Sequence, residues 1–260
     1  MDKLTPAIRK TIKSLSQPKG RKTERAFATE RTKNVKELLA SPFALRWLVA
    51  TDTWFKSNPV DVPVNKCMKA TNADMERMTS MKTPSEVIAV FEMPEQHEPV
   101  LPVKDQLYLA LDGVQDPGNM GTILRLADWF GVRTIYASKD TVDVFNPKCV
   151  ISTMGSIARV SVEYCDLTHI LKYANDNDIL TWGTFMEGEN IFGCLNNESA
   201  NGIIVMGNEG NGISETVARM ITRKIHIPSY PPEATCAESL NVAAATAITL
   251  AEFRKYSLNG

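Results

Sequence analysis

Residues 202–214 read Gly-Ile-Ile-Val-Met-Gly-Asn-Glu-Gly-Asn-Gly-Ile-Ser, and this stretch sets the fold class. The run from Gly202 to Met206 is apolar without alternation, as expected of a strand buried on both faces of a parallel sheet. Three glycines (Gly207, Gly210 and Gly212) follow at once and bracket Glu209. Small residues directly after a parallel strand let a ligand approach backbone N–H and C=O groups closely. A solvated loop carboxylate ahead of a helix capped by Ser214 accounts for the same residues.

Working outward, apolar strand-like runs recur at 107–111, 132–137, 159–163, 179–185 and 224–227. Helical patterns fall between many of them, at 120–130, 166–175, 214–220 and 238–256. This alternation predicts an α/β domain over 105–260, with a mostly parallel sheet and helices on both faces. Residues 94–104 carry Pro94, Pro99 and Pro102 without a regular apolar period, and read as a linker. Ahead of it, strands are expected at 25–29, 44–50 and 84–92, with a helix through Val35, Leu38 and Leu39. Residues 53–80 read as mixed helix and loop. That is a small α/β domain over 21–93, preceded by a basic N-terminal extension over 1–20. In the extension Leu4, Ile8, Ile12 and Leu15 outline a short amphipathic helix that stops near Pro18 and Gly20.

Composition narrows the class. The chain has 260 residues, 43% apolar and 23% charged, which excludes wholesale disorder, collagen-like repeats and a disulfide scaffold. Its 29 Lys/Arg and 30 Asp/Glu exclude a uniformly basic nucleic-acid binder. The charge is unevenly placed, however. Residues 1–40 hold 11 cations against 4 carboxylates, a net +7, and the remainder carries −8. A basic arm on a neutral-to-acidic body attracts phosphate, although a solvated terminal helix has the same composition. No stretch approaches the roughly 18 apolar residues of a membrane span, and the N-terminus does not read as a signal peptide. The five cysteines form no CxxC and share no motif with the three histidines, so reduced thiols, a cytoplasmic location and no metal site are expected.

Two further segments match the glycine loop in character. Residues 111–125, Leu-Asp-Gly-Val-Gln-Asp-Pro-Gly-Asn-Met-Gly-Thr-Ile-Leu-Arg, read as a strand end, a Gly/Pro loop and a helix capped near Asn119. Ile123, Leu124, Ala127 and Phe130 face inward, and Arg125 sits on the shoulder. Neither GxGxxG nor GxxxxGK[ST] occurs there, and a tight turn with a surface arginine fits the segment taken alone. Residues 226–247 run from a short strand through a Pro-rich loop into a helix of small residues. Ser239 and Asn241 stand near its start, where free N–H groups favour ligand oxygens or ordinary caps.

Together, Asp-Pro-Gly-Asn-x-Gly-x-x-x-Arg with Phe-Gly after it, Gly-Asn-Glu-Gly-x-Gly, and Ile-Pro followed by Glu-Ser-Leu-Asn-Val-Ala resemble the three motifs of the SpoU (TrmH-like) RNA 2′-O-ribose methyltransferases, within the SPOUT superfamily. The resemblance spans about 105–257. More loosely, residues 27–30 and 83–91 are similar to the family's substrate-binding domain, itself like ribosomal kink-turn binding proteins. The resemblance implies a trefoil-knotted C-terminal α/β domain that binds S-adenosylmethionine near Gly207, Ile227 and Leu240. It implies no metal. It also implies a homodimer, with the helix at 241–251 in the interface and an active site combining two subunits. Arg125, Asn119, Glu209, Ser239 and Asn241 match the family's functional positions. A guanidinium with a pKa above about 12 stays protonated, so Arg125 is expected to clamp phosphate and stabilise alkoxide charge rather than act as a base. Asn119 and Ser239 would orient the hydroxyl and the guanidinium, and Glu209 would pair with a cation or fix its loop. RNA is the implied partner, ribosomal in preference to transfer RNA, with Arg21, Lys22 and Arg25 as candidate contacts. A non-catalytic RNA-binding factor on the same fold is the alternative. Trp47 and Trp54 could stack on bases, but Trp47's apolar strand favours the core for both. Two departures stand out: a longer loop at 228–238, and Ala243 where a serine often follows.

Overall fold

The apolar runs after residue 105 become the strands of one sheet, and those before it belong to another. The structure is a computed structural model and describes residues 2–95, 97–197, 199–231 and 239–257. Cys236 and the 232–238 part of the longer loop lie outside these. In chain order the elements of the first half are β1 (Asp2–Lys3), α1 (Pro6–Ser14), α2 (Pro18–Glu24), β2 (Ala26–Glu30), α3 (Thr32–Leu39), β3 (Leu45–Ala50), α4 (Asp52–Ser57), β4 (Cys67–Lys69), α5 (Asn72–Met78) and β5 (Val87–Glu92). There follow β6 (Leu107–Leu111), α6 (Pro117–Trp129), β7 (Thr134–Ala137), α7 (Pro147–Ser152), β8 (Ser161–Tyr164), α8 (Leu167–Asp176), β9 (Thr181–Asn190), α9 (Ile191–Cys194), β10 (Gly202–Met206), α10 (Glu215–Ala218), β11 (Arg223–His226) and α11 (Val242–Ser257). They form two compact units, 1–96 with 143–158, and 97–142 with 159–260.

The first unit is built on a mixed sheet ordered β1-β4-β3-β5-β2, in which β5 runs antiparallel to β2 and β3. Its first residues are more than an extension. β1 pairs with β4, and Leu4, Ile12 and Leu15 are buried in a core with Met68, Met75 and Ile88. β4 escapes the sequence reading because three residues carry too little period to register. Trp54 is buried and donates from Nε1 to Thr32, and Trp47 packs partly buried against the core. Segment 143–158, expected in the second domain, belongs to this unit. Asn34 donates to the Ile151 carbonyl, and Phe145 packs on Phe27 at 4.7 Å between centroids.

Arg21 corrects the picture of the basic arm. It is 1% exposed; Nε and Nη2 donate to Asp143 at 2.8 and 2.6 Å, and Nη1 donates to the Leu15 carbonyl. Its charge is neutralised inside the fold, so of the three cations expected to meet RNA only Lys22 and Arg25 are exposed.

The second unit carries a six-stranded sheet ordered β11-β9-β10-β6-β7-β8, with every pairing parallel. All five residues of both β6 and β10 are buried, as their continuous apolar sequences require. Each fully buried Leu, Ile or Val there contributes about 1.5–3 kcal/mol. From β6 the chain steps to β7 and β8, then crosses to the other side of β6 for β9, β10 and β11. The sheet therefore reverses its order between β6 and β10. At such a switch point the two following loops leave the carboxyl edge side by side and open a crevice. Leu111 and Met206 are paired in register, so the loops at 112–116 and 207–214 begin as neighbours. Among the described residues no helix is long and apolar enough to cross a membrane.

Candidate functional site

The loop after β10 is shaped by its own backbone. Asn208 and Gly212 exchange N–H···O bonds of 2.9 and 3.0 Å, and Gly212 sits at φ +68. A Cβ on Gly207 would come within 2.3 Å of the Gly212 carbonyl carbon, so no side chain fits where β10 enters the turn. Asn208 holds the interior: its Oδ1 accepts from Gly210 and Asn211, and its Nδ2 donates to the Gly113 carbonyl at 2.6 Å. The last contact ties the loop after β10 to the loop after β6. A second tie runs from the Ser214 N–H to Asp112, which is 8% exposed.

Glu209 makes the third tie. Its carboxylate accepts from the Gln115 and Asp116 N–H groups, both at 3.3 Å, and from Asn119 Nδ2 at 3.0 Å. Burial acts to raise its pKa, but the hydrogen bonds from Asn119 and from the backbone outweigh it and hold the group below the ordinary carboxylate value. Glu209 is therefore ionised at neutral pH and fixes the loop; it pairs with no cation among the described residues.

Asn119 is free to take part because the cap of α6 falls elsewhere. Asp116 caps the helix by accepting from the Asn119 N–H at 2.8 Å, with Pro117 at the first position where no N–H is needed. The expectation that Asn119 itself caps is corrected accordingly. A carboxylate can only accept, so Asn119 turns its amide NH2 to Glu209 and its Oδ1 outward. That Oδ1 receives Asn241 Nδ2 at 3.0 Å, while Asn241 Oδ1 accepts from Ala243 and Ala244 at the start of α11. Donor and acceptor roles thus run one way, from Asn241 before α11 through Asn119 in the first turn of α6 to Glu209 in the loop after β10.

Of the five expected catalytic positions, these three are brought together. Ser239 is exposed two residues before Asn241. Arg125 is apart. It lies on the exposed face of α6 with Thr122 and Trp129, about 9 Å along the axis from Asn119, and makes no hydrogen bond or ion pair among the described residues. Trp129 is 85% exposed. α6 packs against α11, whose Ala244 and Ala251 are also exposed.

The expected cofactor positions share the carboxyl edge. Gly207 closes β10, half-buried Ile227 follows β11, and Leu240 is 51% exposed beside Asn241. Backbone groups at strand ends with an apolar side chain exposed beside them suit a ligand that has both a flat apolar ring and polar termini. The residues fit S-adenosylmethionine in that sense. Among the described residues no three His, Cys, Asp or Glu side chains gather as a metal group would need.

Asp112, Asp116 and Asn208 were missed in the sequence, although a signal exists. A glycine-rich loop exposes many N–H groups, and an Asp or Asn beside the glycines is the residue type that satisfies them.

Comparison with known proteins places these features. The SpoU rRNA Methylase family matches residues 106–251, and an MRM3-like substrate binding domain matches residues 6–89. The 23S rRNA (guanosine(2553)-2′-O)-methyltransferase RlmP of Bacillus subtilis is 28% identical over 245 residues, covering 94% of this chain and 95% of that protein. A solved structure of a TrmH-family protein from Porphyromonas gingivalis is 39% identical, with TM-score 0.85 over 97% of this chain and 98% of the other. An AdoMet-bound rRNA methyltransferase from Sinorhizobium meliloti is 28% identical, with TM-score 0.84 over 98% of each chain.

Proposed function

This chain belongs to the SpoU rRNA methylase family, and on that footing we propose that it transfers the methyl group of S-adenosylmethionine to a ribose 2′-hydroxyl of ribosomal RNA. The observation that carries the reading is the one-way hydrogen-bond chain of Asn241, Asn119 and Glu209, which ties the start of α11, the first turn of α6 and the loop after β10 into one wall at the sheet's switch point. Gly207, Ile227 and Leu240 would hold the cofactor by their backbone groups. When bound, S-adenosylmethionine supplies a sulfonium methyl that is electrophilic on its own.

The remaining difficulty is positional. A weakly acidic hydroxyl must face the methyl in line, and orientation alone contributes up to about 7–11 kcal/mol in the best intramolecular cases. Glu209 sets Asn119, whose Oδ1 in turn holds Asn241 at the start of α11. Ser239, exposed at the start of the same wall, orients the hydroxyl. Arg125, protonated throughout, clamps the neighbouring phosphate through its two-pronged guanidinium and stabilises the charge that grows on oxygen. Because Arg125 stands on the far turn of α6 with Trp129, it acts on the crevice of a second copy. We accordingly read the chain as a homodimer joined through the exposed faces of α6 and α11, knotted in the family's manner and working in the cytoplasm. Lys22 and Arg25 belong to the same proposal as exposed cations toward RNA.

Incubation with S-[methyl-3H]adenosylmethionine and separated 23S, 16S and transfer RNA tests the reading. Label is expected in ribosomal RNA, at a nucleotide whose 3′ linkage resists alkali. Label confined to transfer RNA, or none, refutes the proposal.

A further inference from the structure

His226 joins none of the motifs that carry the family resemblance, yet it stands one residue before Ile227. The sheet order sets β9 between β10 and β11, and Gly207 and Ile227 follow those two strands directly. β9 does not track either neighbour to its end. Its pairing with β10 stops at Gly183, opposite Val205. Along β11, Lys224 faces Gly183, but the next residue, Ile225, faces Glu189. Adjacent residues of β11 thus meet residues six positions apart on β9. Residues 184–188 bulge out of the ladder at that point. Bulges end pairing locally and re-aim side chains, often beside active sites. This one lies between the strand ends that lead to Gly207 and Ile227, and it carries Met186, which is 72% exposed.

Contacts on both sides hold the bulge. Toward β10, Thr184 Oγ1 donates to the Val205 carbonyl at 3.4 Å. Toward β11, Lys224 Nζ rests 5.0 Å from the centre of the Phe185 ring. Gly188 lies so close to that strand that a Cβ on it would come within 2.6 Å of the Lys224 carbonyl oxygen. Half-buried His226 then reaches back, with Nδ1 2.8 Å from the Gly188 carbonyl oxygen. A carbonyl can only accept, so Nδ1 carries the proton and the ring is fixed in that form. Among the described residues no other side chain hydrogen-bonds to the backbone of 185–188.

We propose that His226 is a positioning residue for S-adenosylmethionine. Its bond to Gly188 sets how far the bulge stands off β11, and so the width of the gap between Gly207 and Ile227 in which the cofactor is held. The inference rests on the methyltransferase reading and adds a side chain to the backbone groups named there. An aliphatic residue would pack equally well at a half-buried strand end, and the donor is the part that the bulge uses.

Isothermal titration of the full chain with S-adenosylmethionine tests this. His226→Leu is expected to weaken binding about three- to tenfold, the worth of one hydrogen bond, and to raise KM for the cofactor more than it lowers kcat. His226→Asn, whose Nδ2 offers a donor near the place of Nδ1, is expected to bind within about twofold of the parent chain. Equal affinity in His226→Leu and the parent overturns the proposal, and so does a His226→Asn chain as weak as His226→Leu. Hydrogen exchange on the parent decides without any substitution. Saturating S-adenosylmethionine should slow amide exchange in the peptide holding 184–190, and unaltered exchange there overturns the proposal as well. A parent chain that binds no cofactor refutes the methyltransferase reading and this inference with it, whereas a parent and variants that bind alike refute the role of His226 alone.

Discussion

The two units place the same chemical group in opposite settings. In the first, the Arg21 guanidinium is enclosed, with its donors on Asp143 and the Leu15 carbonyl. In the second, the Arg125 guanidinium stands exposed without a partner among the described residues. One holds segments of chain together, and the other is available to a substrate. The carboxylates follow the same contrast. Glu30 is buried and fixes a segment of the first unit, while the more exposed Glu209 fixes the rim of a crevice. A charged residue in a basic or acidic stretch thus says little about its role until its burial is known.

The contrast can be broken from either side. The largest effect is expected at the enclosed arginine. Arg21→Met removes three donors and leaves Asp143 without its cation, at roughly 2–4 kcal/mol of stability. Urea unfolding should show this, while methyl transfer per folded molecule stays unchanged. A parallel loss of activity at full foldedness would assign Arg21 to the substrate after all.

Arg125 should behave in reverse. Arg125→Ala is expected to leave unfolding untouched and to lower kcat by about 100-fold, the scale of one lost transition-state donor. Arg125→Lys, which keeps the charge but not the fork, should recover little; near-full transfer in that variant sinks the clamp. Co-refolding Arg125→Ala with Asn119→Ala chains should restore part of the activity, because one site in the mixed dimer keeps both groups.

Trp129→Glu sharpens the dimer reading. A tryptophan this exposed is a natural interface anchor, so its loss should weaken self-association by tenfold or more in sedimentation equilibrium. A chain that sediments as a monomer before any substitution removes the shared site.

The smallest effect concerns pH. Glu209 is ordinarily a group of pKa 4.5 and is held lower in the fold. A depressed acid contributes stability that is present above about pH 4.5 and is lost as pH falls through the folded value. Unfolding temperatures from pH 3 to 6 should show this loss in the parent chain and a shallower acid slope in Glu209→Gln. The difference should be small, since the carboxylate is partly solvated.

Much of the second unit was legible in sequence, because its central strands β6 and β10 are buried along their whole length and advertise themselves as unbroken apolar runs. Leu107–Leu111 and Gly202–Met206 fall where they were expected, and the glycines that shape the turn after β10 are visible in any reading. The first unit was less so. β4 is three residues long, β1 two, and segment 143–158 joins this unit from beyond the 46 residues of 97–142. Periodicity cannot report contacts so far apart.

By itself the sequence determined the α/β class, the parallel sheet after residue 105 and the chemical types gathered at its loops. Local pattern suffices for these, since burial and turn chemistry act within a few residues. Only the tertiary structure decided that Asn119 links Glu209 to Asn241, and that Arg21 is enclosed while Arg125 is not. The links of Asn119 and the enclosure of Arg21 depend on which groups from distant parts of the chain arrive within about 3 Å, the distance at which hydrogen bonds form, and local pattern does not report that.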